Sequence, residues 1–216
     1  MSTDLLTAEQ FAERLHELPD GGRWVELEAG VVTVLDQSDT AHGTFVLNLS
    51  KRLADYLAER RDDPVGYPCF ELGLIVARNP DTVRRPAVCF FLVADAASVG
   101  TGAGSSRYDA SAGLFAETDN PVTESPPALV VETATTNRIR RAMRTRVAGY
   151  HRHGVSAVWV ADPHERTVHV VARGAASRTV SAGEQLSGEA LLPGLSLPVA
   201  DLFAEPEWWT GRRRQP

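Results

Sequence analysis

The sequence predicts an α/β domain built on a mixed sheet with flanking helices. Two apolar runs, residues 88–93 and 128–131, are apolar on both faces, as expected for central strands covered from both sides. A helical pattern and another apolar strand follow the second run, and this strand–helix–strand order requires a parallel pair. Hairpins at 24–35 and 155–171 add antiparallel strands, so we expect one sheet with both kinds of pairing.

The helices are indicated by their caps and apolar stripes. Thr7 and Gln10 form a capping-box pattern that begins the first helix. Residues 41–60 carry an apolar stripe with helical spacing. A similar stripe runs through residues 138–153, and Gly154 follows it as a C-cap glycine would. We expect a last helical turn at 199–203.

Composition limits the class of protein. The 216 residues, 43% of them hydrophobic, suffice for the core of one domain. The net charge of −6 argues against a generic polyanion binder, although clustered arginines can still act locally. Cys69 and Cys89 lie in apolar runs, so we interpret them as core residues in a reducing compartment. No signal peptide or membrane span is visible, so we expect a cytoplasmic protein without a membrane partner.

The domain boundaries follow from a change in composition. Residues 94–127 are rich in Ala, Gly, Ser and Asp and exceed an ordinary connection in length. We therefore predict a single domain over residues 1–204 with a flexible insertion at 94–127. Residues 205–216 are predicted to be a C-terminal tail.

A lone acid marks the end of the second central strand. Glu132 follows the apolar residues 128–131, whereas the first central strand begins with Ala87. Arg146 falls on the inward stripe of the following helix, and a guanidinium that faces a core is costly unless it is paired. We therefore predict an Arg146–Glu132 ion pair. His42 also points inward, at a helix N-terminus. There it either contributes to anion binding or is a capping or packing residue.

The helix after Glu132 is rich in arginine. Its other arginines fall on the outer faces, where they contact a phosphate backbone or, as the safer default, are only solvated. These residues are Arg138, Arg140, Arg141, Arg144 and Arg152.

Short motifs in a fixed order connect these features to a known family. These motifs are spread over residues 7–203. In chain order they are: residues 23–27 with Ala29-Gly30; His42-Gly43; residues 80–84 with Pro86; residues 127–132; Arg146-Val147 with Tyr150; Gly154-Val155; residues 158–160 with Asp162-Pro163; residues 192–195; and residues 201–203. In this order they resemble the Uma-two family of restriction-endonuclease-like proteins, in the PD-(D/E)XK nuclease superfamily. The resemblance implies a restriction-endonuclease-like core with flanking helices and added β-hairpins.

The resemblance also implies a chemistry and shows where this chain departs from it. The implied activity is Mg²⁺- or Mn²⁺-dependent hydrolysis of DNA phosphodiesters, with Glu132 as a metal ligand. Ala87 stands where the family has its metal-binding Asp, and Arg146 stands where it has a lysine. Arginine keeps the charge but cannot accept a proton at ordinary pH. The acids that could replace the missing one are Glu26, Glu71, Asp81 and Asp95.

Two functional hypotheses remain open at this stage. The first is a DNA endonuclease with a depleted site formed by Glu132, Arg146, Ala87, Glu26 and His42. The second is a catalytically inactive protein of the same fold that binds nucleic acid or a protein partner. We expect a homodimer, since two-fold symmetry is the commonest arrangement of soluble oligomers. A small-molecule hydrolase is disfavoured because the sequence has no nucleophile elbow.

Overall fold

The computed structural model describes residues 5–36, 39–93 and 121–206. Its helices are α1 (Ala8–Glu13), α2 (Thr40–Ala58), α3 (Asn137–His153) and α4 (Val199–Leu202), with 3-10 turns at Leu15–Glu17 and Pro19–Gly22. Its strands are β1 (Val25–Glu28), β2 (Val31–Val34), β3 (Gly66–Phe70), β4 (Gly73–Ala77), β5 (Thr82–Arg84), β6 (Val88–Leu92), β7 (Val122–Thr123), β8 (Leu129–Thr133), β9 (Ala157–Asp162), β10 (Thr167–Ala172), β11 (Arg178–Ser181), β12 (Gln185–Ser187) and β13 (Ser196–Pro198).

A six-stranded mixed sheet forms the centre of the fold. Its order is β11-β10-β9-β8-β6-β3, and β8 and β9 form its parallel pair, as predicted from the strand–helix–strand order. Strands β6 and β8 are antiparallel, with Val88 opposite Val131. Ala87 precedes Val88 and Glu132 follows Val131. The register therefore places Ala87, where the first central strand lacks an acid, beside Glu132.

The mixed pairing predicted from the sequence is confirmed, but the N-terminal hairpin belongs to a second sheet. Strands β1 and β2 pair as predicted around Ala29 and Gly30, whose positive φ angles close the turn. However, β1 also pairs with β5, and the order of this second sheet is β2-β1-β5-β4-β7. The sequence pattern did not reveal β5, because three residues are too few to show an alternation. Strands β12 and β13 form a separate ribbon.

Helices α2 and α3 cover opposite faces of the six-stranded sheet. Along β6, Val88 and Phe90 pack in the cluster that contains the α2 residues, whereas Cys89 and Phe91 pack in the cluster that contains Met143 of α3. This alternation confirms that the strand is buried on both sides. Because α3 follows β8 directly, its inward face lies beside the end of that strand.

The helices predicted at 41–60, 138–153 and 199–203 are confirmed with shifts of at most two residues at the ends, whereas the first helix ends at Glu13 and continues as 3-10 turns. Thr7 and Gln10 form the predicted capping box of α1, and Gly154 caps α3 with a φ of 113°. Cys89 is buried and Cys69, opposite it on β3, is half-buried. Within the predicted insertion, Val122–Thr123 forms a strand that pairs with β4. The rest of the insertion up to residue 120, and the tail from residue 207, lie outside the described residues.

In the described ranges, no helix combines the length and apolar character needed to cross a membrane.

Asp81 joins α1 to the second sheet. Its carboxylate accepts hydrogen bonds from the backbone N–H of Ala8 at 2.8 Å and from Nη1 of Arg78 at 2.7 Å. The backbone N–H of Asn79 donates to it at 3.2 Å. Only 7% of the residue is exposed. Asp81 therefore has a structural explanation for its charge that does not involve a metal.

We predict that Asp81→Ala destabilises the protein by about 1–3 kcal/mol, because buried donors lose their acceptor. Thermal or urea unfolding measures the change. Asp55→Ala is the matched control, since Asp55 is exposed on α2 and should change the unfolding free energy by less than about 0.5 kcal/mol. Equal stability of the two variants would contradict the structural role of Asp81.

Candidate functional site

A pocket of about 370 Å³ opens between the two sheets and α3. Side chains from β1, β5, β8 and α3 meet in it, together with the N-terminus of α2. All five residues predicted for the site line this pocket: Glu26, His42, Ala87, Glu132 and Arg146. The fold therefore assembles the candidate site from segments that are far apart in the sequence.

Arg146 lies between two buried carboxylates. Its Nη1 and Nη2 donate to the two oxygens of Glu26 at 2.6 and 2.8 Å, which is a bidentate pair. Its Nε and Nη2 donate to Oε1 of Glu132 at 2.9 and 2.6 Å. One guanidinium thus holds both acids, and Nη2 contacts both of them. The predicted Arg146–Glu132 pair is confirmed, and Glu26 is an additional partner.

Glu26 is fully buried and has further donors. Nη1 of Arg84 lies 3.0 Å from Glu26 Oε2, and it also contacts Glu28 at 2.8 Å. The backbone N–H of Arg85 donates to Glu26 Oε1 at 2.8 Å. The pairing of β1 with β5 produces these contacts, because it places Arg84 beside Glu26.

Glu132 has a more apolar environment. It receives the hydroxyl hydrogen bond of Tyr150 at 2.5 Å, in addition to the contacts from Arg146. Tyr150 lies one helical turn after Arg146, so both side chains project from the same stripe of α3. Burial and the nearby Glu132 raise the pKa of Tyr150 well above its usual value, which keeps the hydroxyl protonated as a donor.

The two acids differ in their pKa values although they share one arginine. Burial raises the pKa of Glu26, but hydrogen bonds and charge from Arg146, with help from Arg84, outweigh it, and the pKa falls below 4.5. Burial dominates at Glu132 and raises its pKa, and the charge of Glu26 adds to the effect. Glu26 is therefore the firmly ionised partner of Arg146, and Glu132 is the acid that protonates first.

Ala87 leaves one wall of the site without a ligand. It is 7% exposed and packs in the apolar core, next to Glu132 on the neighbouring strand. A methyl group supplies no oxygen to a cation.

His42 contacts the site from α2. Its Nδ1 lies 2.7 Å from Oγ1 of Thr133, the residue after Glu132. Burial lowers the pKa of His42, partly offset by the charges of Glu71 and Asp39. Its backbone N–H donates to Asp39, the cap of α2. The inward direction predicted for His42 is confirmed, and the neutral ring is hydrogen-bonded to β8.

Two of the other candidate acids lie in the described ranges, and neither belongs to a metal-ligand cluster there. Glu71 is exposed in the turn between β3 and β4, at the pocket wall. Asp81 forms hydrogen bonds with the N-terminus of α1 and with Arg78. Asp95 lies outside the described residues.

Comparison with known proteins agrees with this architecture. The family model described as "Uma2: Putative restriction endonuclease" matches residues 9–200. The chain belongs to the Uma2 (Uma-two) family. A crystal structure from Anabaena variabilis ATCC 29413, described as "a putative nuclease belonging to DUF820", superposes with a TM-score of 0.68. It is 16% identical, and the match covers 92% of this chain and 97% of that chain, which shows a shared fold. The comparison with curated proteins gave no match.

Restriction-endonuclease-like proteins generally use divalent metals, but the residues of this Uma2 member do not fit one. Mg²⁺ takes oxygen ligands in a near-octahedral arrangement. Glu26 and Glu132 both pair with Arg146, and its guanidinium occupies the space between them. Within residues 5–36, 39–93 and 121–206, no three His, Cys, Asp or Glu side chains are grouped as metal ligands would be.

Glu26, Glu132, Arg84, Arg146 and Tyr150 together form what we name the ion-pair centre. Two of its members, Arg84 and Tyr150, were not predicted as site residues from the sequence. The four-residue spacing from Arg146 to Tyr150 was a usable signal for the Tyr150 hydroxyl. Arg84 had no comparable signal, because its position depends on the β1–β5 pairing.

We predict that Arg146→Ala lowers the unfolding free energy by about 3–5 kcal/mol, because two carboxylates remain buried without their shared cation. Chemical unfolding measures the loss. Arg144→Ala is the matched control: Arg144 is exposed on the same helix, and its loss should cost less than about 0.5 kcal/mol. If both variants are equally stable, the ion-pair centre does not support the fold.

We also predict a specific pH dependence for Glu26→Gln. The pKa of Glu26 is below 4.5 in the folded protein, so the unfolded chain binds more protons and the contribution of Glu26 to stability disappears as the pH falls below that value. The stability difference between wild type and Glu26→Gln should therefore shrink from about pH 7 to about pH 3. Glu13→Gln, an exposed change on α1 outside the site, is the matched control. Parallel curves for wild type and Glu26→Gln would contradict the assignment.

Proposed function

We propose that this protein is a non-hydrolysing member of the Uma2 family that binds nucleic acid. Membership of a family described as restriction endonucleases, together with the nuclease-like fold, supports a nucleic-acid partner. Hydrolysis in such a site requires a cation to stabilise charge on the phosphoryl group and to supply hydroxide near neutral pH. Without such a cation, the protein binds nucleic acid on a nuclease-like fold but does not cleave it.

One observation carries the loss of hydrolysis: Arg146 forms hydrogen bonds with both carboxylates of the site. A guanidinium provides positive charge but has no exchangeable coordination positions and no bound water to deprotonate. Its pKa is raised well above the usual value by Glu132 and Glu26, despite burial, so it also cannot act as a base. Ala87 supplies no further oxygen.

The competing function is a metal-dependent endonuclease with a weakened site. For that function, a divalent cation must displace Arg146 from two acids at once. Displacement would leave a buried guanidinium without its partners, which costs several kcal/mol. The geometry therefore favours the binding function over slow cleavage.

A plasmid-nicking assay with Mg²⁺ or Mn²⁺ tests the proposal. We expect no cleavage above background from the natural protein. The variant Ala87→Asp, Arg146→Lys restores the carboxylate and lysine implied by the family resemblance, and we expect it to nick DNA. The same variant with Glu132→Ala is the matched control, and it should be inactive because a carboxylate ligand is removed.

The outcomes separate the alternatives. Metal-dependent cleavage by the natural protein that is abolished by Glu132→Ala would overturn the proposal in favour of the endonuclease. Cleavage by the restored variant alone would support both the placement of the site and its loss of chemistry. Absence of cleavage by both proteins would contradict the site assignment of Ala87 and Arg146.

A further inference from the structure

The outer side of α3 carries an arginine-rich surface. Four of its arginines are exposed: Arg138, Arg141, Arg144 and Arg152, which together we name the basic face. The 17-residue helix contains no Asp or Glu, so no residue of α3 itself can neutralise them. The helical spacing of these four residues places them on one side of the cylinder.

Most of the basic face has no carboxylate partner among the residues that the structure describes. Arg138 pairs with Asp36 at 2.9 Å, but among the described residues Arg141, Arg144 and Arg152 have no acid within 4.0 Å. Arg140, predicted to lie on the outer side, instead turns to Asp162, with Nε 2.5 Å from its carboxylate. Three exposed arginines without an acidic partner in the described ranges contrast with the net charge of −6 of the chain.

The helix dipole does not explain all of these arginines. Cations are favourable in the last turn of a helix, where Arg152 lies, and unfavourable near its N-terminus. Arg141 and Arg144 lie beyond the first turn of the helix and before its last turn, where the dipole has little effect on a charge. The dipole therefore accounts for Arg152 and gives no stabilisation to Arg141 or Arg144.

The basic face borders the candidate site. Arg138, Ala142 and Thr145 line the pocket from the adjacent side of α3. A polyanion that follows the outer side of α3 would therefore pass the pocket mouth. This position links the charged surface to the site that the fold assembles.

We propose that the basic face binds the phosphate backbone of double-stranded DNA. The inference rests on the proposed function and identifies its partner and surface. Arg141 and Arg152 are about 16 Å apart along the helix axis, which exceeds the major-groove width of about 12 Å, so the face is long enough to reach phosphates on both strands. It carries no aromatic side chain on which an unpaired base could stack, which disfavours single strands.

The acidic remainder of the chain makes the orientation selective. Like charges repel the other surfaces from a polyanion, whereas the basic face attracts it. Affinity should then fall as the salt concentration rises, with a slope set by the few phosphates that these arginines neutralise, because each neutralised phosphate releases counterions.

Fluorescence anisotropy with a labelled DNA duplex, read at several salt concentrations, tests the inference. The variant is Arg141→Ala, Arg144→Ala. The matched control is Lys51→Ala, Arg61→Ala, which removes the same charge from exposed positions of α2 and the turn after it, on the opposite face of the central sheet. We expect the α3 variant to bind about tenfold more weakly and to reduce the salt slope by about 2, while the control is unchanged. Thermal unfolding should show both variants folded.

Each outcome is decisive. If the wild type binds no nucleic acid, both the proposed function and this inference fail. If the wild type binds the duplex but the α3 variant and the control bind as tightly as it does, the inference fails and the proposed function stands. Tighter binding of single-stranded DNA or of duplex RNA would overturn the choice of partner.

Discussion

The structure depends on the way one buried guanidinium compensates two buried carboxylates. A charge inside a protein is tolerated only when its hydrogen bonds and its counter-charge are supplied by fixed groups. Arg146 supplies both to Glu26 and Glu132, and it thereby joins a strand of each sheet to α3. Arg84, the backbone of Arg85 and Tyr150 provide the remaining donors. The centre thus connects the three layers that form the pocket.

The proposed loss of hydrolysis rests on the same contacts. The family and the shared fold require the strands, the crossover helix and their packing, all of which are present. The chemistry requires a replaceable cation with bound water. A protein-borne cation keeps the acids buried and the fold stable, but it cannot exchange ligands. Ala87 contributes no carboxylate to the centre, so Arg146 compensates two acids.

Much of the fold could be predicted from the sequence because it depends on local patterns. The capping box of Thr7, the stripes of α2 and α3 and the parallel β8–β9 pair all follow from periodicity and order. The inward position of Arg146 also followed from helical spacing. The separate second sheet could not be predicted, because β5 is short and its pairing with β1 is long-range. For the same reason Glu26 was one of several candidate acids, and Arg84 was missed.

The most direct test of this account is a crystal structure grown with Mn²⁺, with anomalous data collected to locate the ion. The account predicts that the guanidinium of Arg146 remains between Glu26 and Glu132 and that no anomalous peak lies beside either carboxylate. A peak coordinated by Glu132 and Glu26, with Arg146 turned away, would contradict it and would restore metal-dependent hydrolysis as the function of this site.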